Sequence, residues 1–133
     1  MLRLPHGLEV VGRGWFSGSV MEKLFIPNTV REFGKYAFGG CRNLREIIFE
    51  PDPQLETIGD DCFKSCRLEE VTIQRSVRSI GCCAFQFCYY LHSLTFEEGS
   101  QLEHVGKDVV HKTQLDEKDV EFPKGAKVEH RRE

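Results

Sequence analysis

The chain is predicted to be a solenoid of short stacked β-strands, and three observations carry that prediction. A unit that begins Ile58-Gly59 and runs through Cys62-Phe63, Cys66, Leu68, Val71, Ile73 and Val77 to Ile80 recurs in both directions along the chain. The strand-end residues Leu4, Ile26, Phe49, Ile73, Phe96 and Phe122 are separated by 22, 23, 24, 23 and 26 residues. The segments leading into them alternate apolar with polar residues, as Glu70-Val71-Thr72-Ile73 does. A period in this range marks a repeat array, in which no unit buries its apolar face alone and stacked neighbours share one core. Function is therefore to be sought on a surface and not in a pocket between domains.

Taken in order, Leu4-Pro5-His6-Gly7-Leu8-Glu9-Val10-Val11-Gly12 superimposes without gaps on Ile26-Pro27-Asn28-Thr29-Val30-Arg31-Glu32-Phe33-Gly34. Trp15-Phe16, Met21 and Leu24 then correspond to Ala37-Phe38, Leu44 and Ile47, and to Ala84-Phe85, Leu91 and Leu94, with Ser19 in the slot of Cys41 and Cys88. From Val105-Gly106 the pattern decays, with Val110 in the Phe position and Thr113 in the Cys position. The reading is one domain over 1–133, with about five repeats of 22–26 residues, regular over 1–104 and degenerate over 105–133 as a C-terminal repeat, cap and tail. The last few residues are expected to fray.

Two turn types connect the strands. A short one, Ile26-Pro27-Asn28-Thr29-Val30, recurs as Ile73-Gln74-Arg75-Ser76-Val77, and a long one, Phe49-Glu50-Pro51-Asp52-Pro53-Gln54-Leu55, recurs as Phe96 to Leu102. Proline ends a strand because it lacks a ladder N–H, and Asn, Asp, Ser and Gly tolerate the turn that follows. Gly12, Gly34, Gly59, Gly81 and Gly106 are expected to mark a tight backbone position. Ala84-Phe85 and Cys88 stand at i, i+1 and i+4, which predicts a compact turn or single helical turn with one inward side.

In a stacked array Phe16, Phe38, Phe63 and Phe85 form an aromatic ladder, and Cys41, Cys66 and Cys88, each three residues on, form a ladder of small residues beneath it. Cys62 takes the place of Ala37 and Ala84 in the core. Cys82 and Cys83 match Lys35-Tyr36 and Asp60-Asp61 and are expected to be exposed. The six cysteines are read as reduced and structural, against the alternatives of a disulfide or a metal site. The five histidines, His6, His92, His104, His111 and His130, fall at unrelated repeat positions and are read as solvated. No cofactor, metal or catalytic residue is indicated, and Gly12 to Gly14 lacks the rest of a dinucleotide fingerprint.

A formal charge of -3 argues against general affinity for nucleic acid, which requires clustered Lys and Arg. No apolar run approaches the length of about 20 residues that crosses a membrane, and the N-terminus lacks an apolar secretory segment, so a cytoplasmic location is expected. The alternative is a cell surface, if the chain belongs to a longer exported protein.

The units Ile-Gly-x-x-Ala-Phe-x-x-Cys-x-x-Leu and Leu-x-x-Ile-x-Ile-Pro-x-x-Val resemble the leucine-rich repeats of the BspA type, over Leu4 to Leu102. The resemblance implies a leucine-rich-repeat solenoid and a role in adhesion or protein–protein interaction, with no catalytic residues to carry over. What remains for function is the solvent side of the strands. Aligned units place Lys23, Glu46, Glu70, Ser93 and Asp119 in one outward column and Phe25, Ile48, Thr72, Thr95 and Glu121 in the next. Phe25 and Ile48 on adjacent strands would make an apolar spot, either a contact site or positions that the sheet tolerates. Tyr89 and Tyr90, with Phe87 before them, make a second cluster near a turn.

The expected partner is a protein, with self-association through the N-terminal edge as a further possibility because solenoid ends need caps. A non-catalytic interaction scaffold is the leading reading. A permanent structural subunit of a larger assembly, or a fragment of a cell-surface adhesin, is its competitor, and a small enzyme built on the repeats is a distant third.

Overall fold

The structure, a computed structural model, describes residues 1–130. The expected fraying of the C-terminal tail falls on residues 131–133, outside the described residues. The strands are β1 (Leu2–Arg3), β2 (Val10–Val11), β3 (Lys23–Ile26), β4 (Glu32–Phe33), β5 (Glu46–Phe49) and β6 (Thr57–Ile58). They continue as β7 (Glu70–Ile73), β8 (Ser79–Ile80), β9 (Ser93–Phe96), β10 (His104–Val105) and β11 (Lys127–Val128). Every pairing is parallel. The chain coils as the repeat predicts, each turn of the solenoid adding a strand to two faces.

One face is a continuous sheet in the order β11-β10-β8-β6-β4-β2, so six coils stack where about five repeats were expected. Its strands are two residues long, and β2, β4, β6, β8 and β10 each end at a glycine, Gly12, Gly34, Gly59, Gly81 or Gly106. Gly59 shows why that step is glycine: a Cβ there would stand 2.8 Å from the backbone carbonyl carbon of Gly34 and from the N of Lys35. Coils approach too closely at this point for any side chain.

Between the two faces lies the core. Phe38, Phe63 and Phe85 are buried, Phe16 is half-buried, and their rings stack at 5.6, 5.3 and 5.6 Å with interplanar angles of 4–7°. Phe33 meets Phe38 and Phe63 edge-on. Offset stacking and edge contacts add about 0.5–1.5 kcal/mol per pair beyond area burial.

Of the two forms expected around Ala84-Phe85, a compact turn or a single helical turn, the structure has the compact turn. Two residues per coil adopt left-handed backbone: Gly14, Tyr36, Asp61, Cys83 and Asp108 in one column, Gly18, Gly40, Ser65, Phe87 and Lys112 in the other, with φ between 56° and 75°. Left-handed residues four apart interrupt any α-helix. They turn the peptide groups between coils instead, so that Phe38 N–H donates to the Cys62 carbonyl at 2.9 Å and Phe63 N–H to that of Ala84 at 2.8 Å.

The degenerate unit departs further. Where the sixth strand of the outward face was expected, Glu117–Asp119 is a 3₁₀ turn capped by the Asp116 carboxylate. Asp119 and Glu121 therefore do not extend the outward columns. His130 Nδ1 lies 3.2 Å from Glu117 Oε2 and ties this turn to the segment after β11.

The second face is divided. It consists of β1-β3-β5 and a separate pair β7-β9, and no Cα of β5 lies within 8 Å of one in β7, whereas paired strands stand about 4.8 Å apart. The turn Cys66-Arg67-Leu68 is one residue shorter than Cys41-Arg42-Asn43-Leu44, but so is Ser19-Val20-Met21, whose strand β3 pairs with β5, so turn length does not part the strands. The second and third coils stay joined where Arg67 N–H donates to the Leu44 carbonyl at 3.0 Å, and beyond that bond β5 and β7 part. Inward Ile47, Phe49 and Val71 are left half-buried, while their counterparts Leu24 and Ile26 are sealed at 0% and 1% exposure.

Candidate interaction surface

The outward columns are assembled by strand register. Lys23 stands opposite Glu46 and Phe25 opposite Ile48 on β3 and β5, and Glu70 opposite Ser93 and Thr72 opposite Thr95 on β7 and β9. The structure thus brings the eight residues together as two blocks of four, with the gap between them. In a strand of four residues, alternation leaves two side chains outward and the other two in the core.

In the first block Lys23 Nζ lies 3.6 Å from Glu46 Oε2, and the Arg3 guanidinium sits over the Phe25 ring at 5.0 Å. Phe25 and Ile48 are half-buried, so the apolar spot is smaller than the sequence implies because Arg3 covers part of it. In the second block the Thr72 and Thr95 hydroxyls are 3.2 Å apart, and His92 Nε2 lies 3.6 Å from Glu70 Oε1. Exposed ion pairs of this kind are each worth about 0–1 kcal/mol. They contribute little to holding the fold.

Grooves open at both ends of the gap. One, of about 680 Å³, lies among Arg45, Glu46, Ile47, Glu69 and Glu70. The other, of about 480 Å³, lies between the loop from Phe49 to Pro53 and the short turn at Gln74 to Ser76.

Two further patches flank this face. Phe87 is half-buried and Tyr89 and Tyr90 are exposed, with Arg67 over the Tyr90 ring at 4.2 Å and Lys64 Nζ 5.5 Å from that of Phe87. On the first coil Met1, Trp15 and Val20 are 62%, 58% and 78% exposed, although Trp15 stands in the repeat position of buried Ala37 and Ala84.

The cysteines carry structure. Each thiol of the ladder donates to the Phe carbonyl of the preceding coil: Cys41 to Phe16 and Cys66 to Phe38 at 3.2 Å, and Cys88 to Phe63 at 3.1 Å. Burial pushes the Cys88 thiol up to about 12 and raises Cys62 further. The neighbouring Cys41 thiol, then burial, hold Cys66 well above the ordinary range. Cys82 and Cys83 are half-buried and not exposed as expected, because the adjoining coils cover them. Burial and then the Asp61 carboxylate raise Cys83.

His6, His92 and His130 are exposed, but His104 and His111 are half-buried. His104 Nε2 lies 3.6 Å from Glu129 Oε1 across the coil boundary, and the His111 ring packs 6.4 Å from that of Phe87. Among the described residues no group of three or more His, Cys, Asp or Glu is arranged to hold a metal ion, and no helix is long and apolar enough to cross a membrane.

Compared with known families, residues 9–129 match the BspA type leucine rich repeat region in six copies. Among solved structures, the pneumococcal vaccine antigen PcpA is 33% identical over 69% of this chain and 22% of its own, with a TM-score of 0.66. A leucine rich cell surface protein from Faecalibacterium prausnitzii is 20% identical over 96% of this chain and 42% of its own, with a TM-score of 0.62. A leucine-rich repeat protein from Bacteroides ovatus is 19% identical over 98% and 42%, with a TM-score of 0.54. The last two likenesses are of fold alone. The chain spans 22% to 42% of the length of these proteins. No curated protein matches it.

Proposed function

The chain belongs to the BspA type leucine-rich-repeat family, and on that premise we propose that it is a non-catalytic protein-interaction scaffold whose contact surface is the outward face of β3, β5, β7 and β9. The observation that carries this reading is the parallel register that sets Lys23, Phe25, Glu46 and Ile48 beside Glu70, Thr72, Ser93 and Thr95. Charge, hydroxyl and half-buried apolar groups then share one face, the mixture that interface rims and cores use. Affinity purification from the native source, followed by mass spectrometry, tests it with the variant Phe25→Asp/Ile48→Asp. A set of partners lost in the variant supports the strand face; partners retained at equal yield exclude it.

A second reading, a structural subunit or self-associating chain docked through its N-terminal edge, rests on exposed Met1, Trp15 and Val20. Sedimentation equilibrium of the chain and of Trp15→Glu/Val20→Glu separates the two, since only this reading requires a concentration-dependent mass that the variant abolishes. As to setting, the names of the similar structures, a vaccine antigen and a cell surface protein, favour a cell surface over the cytoplasm. Protease shaving of intact cells is the test.

A further inference from the structure

Resting on the reading of the strand face as a contact surface, we infer that the gap between β5 and β7 is the seat of an extended segment of a partner protein, which enters as an added parallel strand. The gap is wider than a direct ladder between its edges. A strand inserted between two others stands about 4.8 Å from each, so its flanking strands lie about 9.6 Å apart, and β5 and β7 are nowhere within 8 Å of one another.

The edges have the chemistry for it. In the ladder of β3 with β5, Glu46 N–H donates to the Glu22 carbonyl and Glu50 N–H to that of Ile26; in the ladder of β7 with β9, Glu97 N–H donates to the Ile73 carbonyl. Main-chain groups of a strand face its two neighbours alternately. Those of Ile47 and Phe49 therefore face the gap from β5, and those of Thr72, with the N–H of Gln74, face it from β7. The Gln74 side chain already does in part what a strand would do, its Nε2 donating to the Thr72 carbonyl at 3.3 Å. Two parallel edges facing one another across one missing strand accept a β-conformer through its main chain, the mode by which sheets recognise extended peptides.

The side chains set the sequence of the guest. Ile47, Phe49 and Val71 point to the core but are half-buried, so apolar residues at alternate guest positions complete the core layer. Outward guest residues would stand between Ile48 and Thr72, while the charges at the entrance are internally matched, Arg45 with Glu22 and Arg67 with Glu69. The guest is thus a segment of about four residues, matching the four of β5 and of β7, apolar at every second position and without a required net charge.

The test uses the full chain and a capped synthetic peptide with the sequence of residues 22–28, whose Leu24 and Ile26 have the required alternation and which is the natural neighbour of β5 on its other edge. Amide hydrogen exchange is read residue by residue. At a peptide concentration about ten times its Kd, exchange at Ile47, Phe49, Thr72 and Gln74 is expected to slow about tenfold. Thr72→Pro removes a gap-facing N–H while leaving the β7-β9 ladder, and should abolish the effect; Thr72→Val, which keeps the N–H, should not. Protection confined to the β1 edge, protection unchanged in Thr72→Pro, protection that grows with the concentration of the chain alone, or none at all would each overturn the inference. Loss of captured partners in Phe25→Asp/Ile48→Asp without peptide protection in the gap would remove strand entry and leave the scaffold reading standing.

Discussion

Arg67 N–H donates to the Leu44 carbonyl over 3.0 Å, and this bond joins the second and third coils at the last point before their strands diverge. Turn length does not account for the divergence, since β3 pairs with β5, and β7 with β9, across the same one-residue difference. Inserting Asn between Arg67 and Leu68, to copy Cys41-Arg42-Asn43-Leu44, is therefore expected to leave β5 and β7 apart. Unchanged amide exchange at Ile47 and Gln74 in the insertion variant checks this, and slower exchange would show that the short turn is the cause.

Phe63 sits between Phe38 and Phe85 at 2% exposure, while Phe16 ends the ladder half-buried. Phe63→Ala should cost about 3–5 kcal/mol, a large share of the about 5–15 kcal/mol that holds a domain of this size, and Phe16→Ala distinctly less. Urea titration measures both. Equal midpoints for the two variants would contradict a core propagated through the stack.

Gly59→Ala places a Cβ 2.8 Å from the backbone of Gly34 and Lys35, whereas the nearest atoms to a Cβ at Gly12 belong to the exposed Trp15 side chain. Overpacking against backbone should cost about 1–3 kcal/mol. Gly12→Ala needs only a rotation of Trp15 and should fall near zero. Thermal melts of the pair decide whether close coil approach or mere turn flexibility requires the glycine.

Cys62, Cys66 and Cys88 have thiols raised above the ordinary value, Cys88 to about 12. A raised folded pKa means that the folded chain keeps a proton which the unfolded chain releases from about pH 8.5 upward. Their contribution is complete below that pH and is lost as pH rises toward 12, so melting temperature should fall through this window. Cys88→Ala should flatten the fall while lowering stability at neutral pH. In the native chain at pH 8, a thiol reagent should reach Cys82 ahead of the four buried thiols, with Cys83 slower because its own thiol is raised.

Ser65 holds φ 63° at the position where the first two coils have Gly18 and Gly40. Left-handed backbone costs a residue with a side chain about 1–2 kcal/mol, offset in part by the entropy glycine loses on folding. Ser65→Gly should therefore raise stability by up to about 1 kcal/mol. A lower melting temperature would mean that the hydroxyl makes contacts that outweigh the strain.

Much of this was legible from residue spacing. The apolar alternation of Glu70-Val71-Thr72-Ile73, the Phe and Cys ladders and the recurrent glycines each depend on contacts that repeat with the period of the coil, and such contacts leave the same residue type at the same position. The turn conformation was not legible as helix or turn, because Ala84, Phe85 and Cys88 fall on one side of either. The left-handed positions could have been found from Gly14, Gly18 and Gly40, had their columns been followed to Tyr36, Ser65 and Phe87. Half-burial of His104, His111, Cys82 and Cys83 was missed because coverage comes from the neighbouring coil and not from the unit in which the residue lies.

The sequence by itself determined the solenoid, the residues that face its core and the two outward columns, since these follow from a period of 22–26 residues acting through nearest neighbours alone. Only the tertiary structure decided how those columns are grouped. The repeat stays recognisable on both sides of the break, yet a ladder forms only when donors and acceptors of adjacent coils meet at about 3 Å, and the bond from Arg67 N–H to the Leu44 carbonyl is the last such contact before β5 and β7 part. That all-or-none geometry divides the face, leaves Ile47, Phe49 and Val71 half-buried, and turns a regular array into one with a distinct place on its surface.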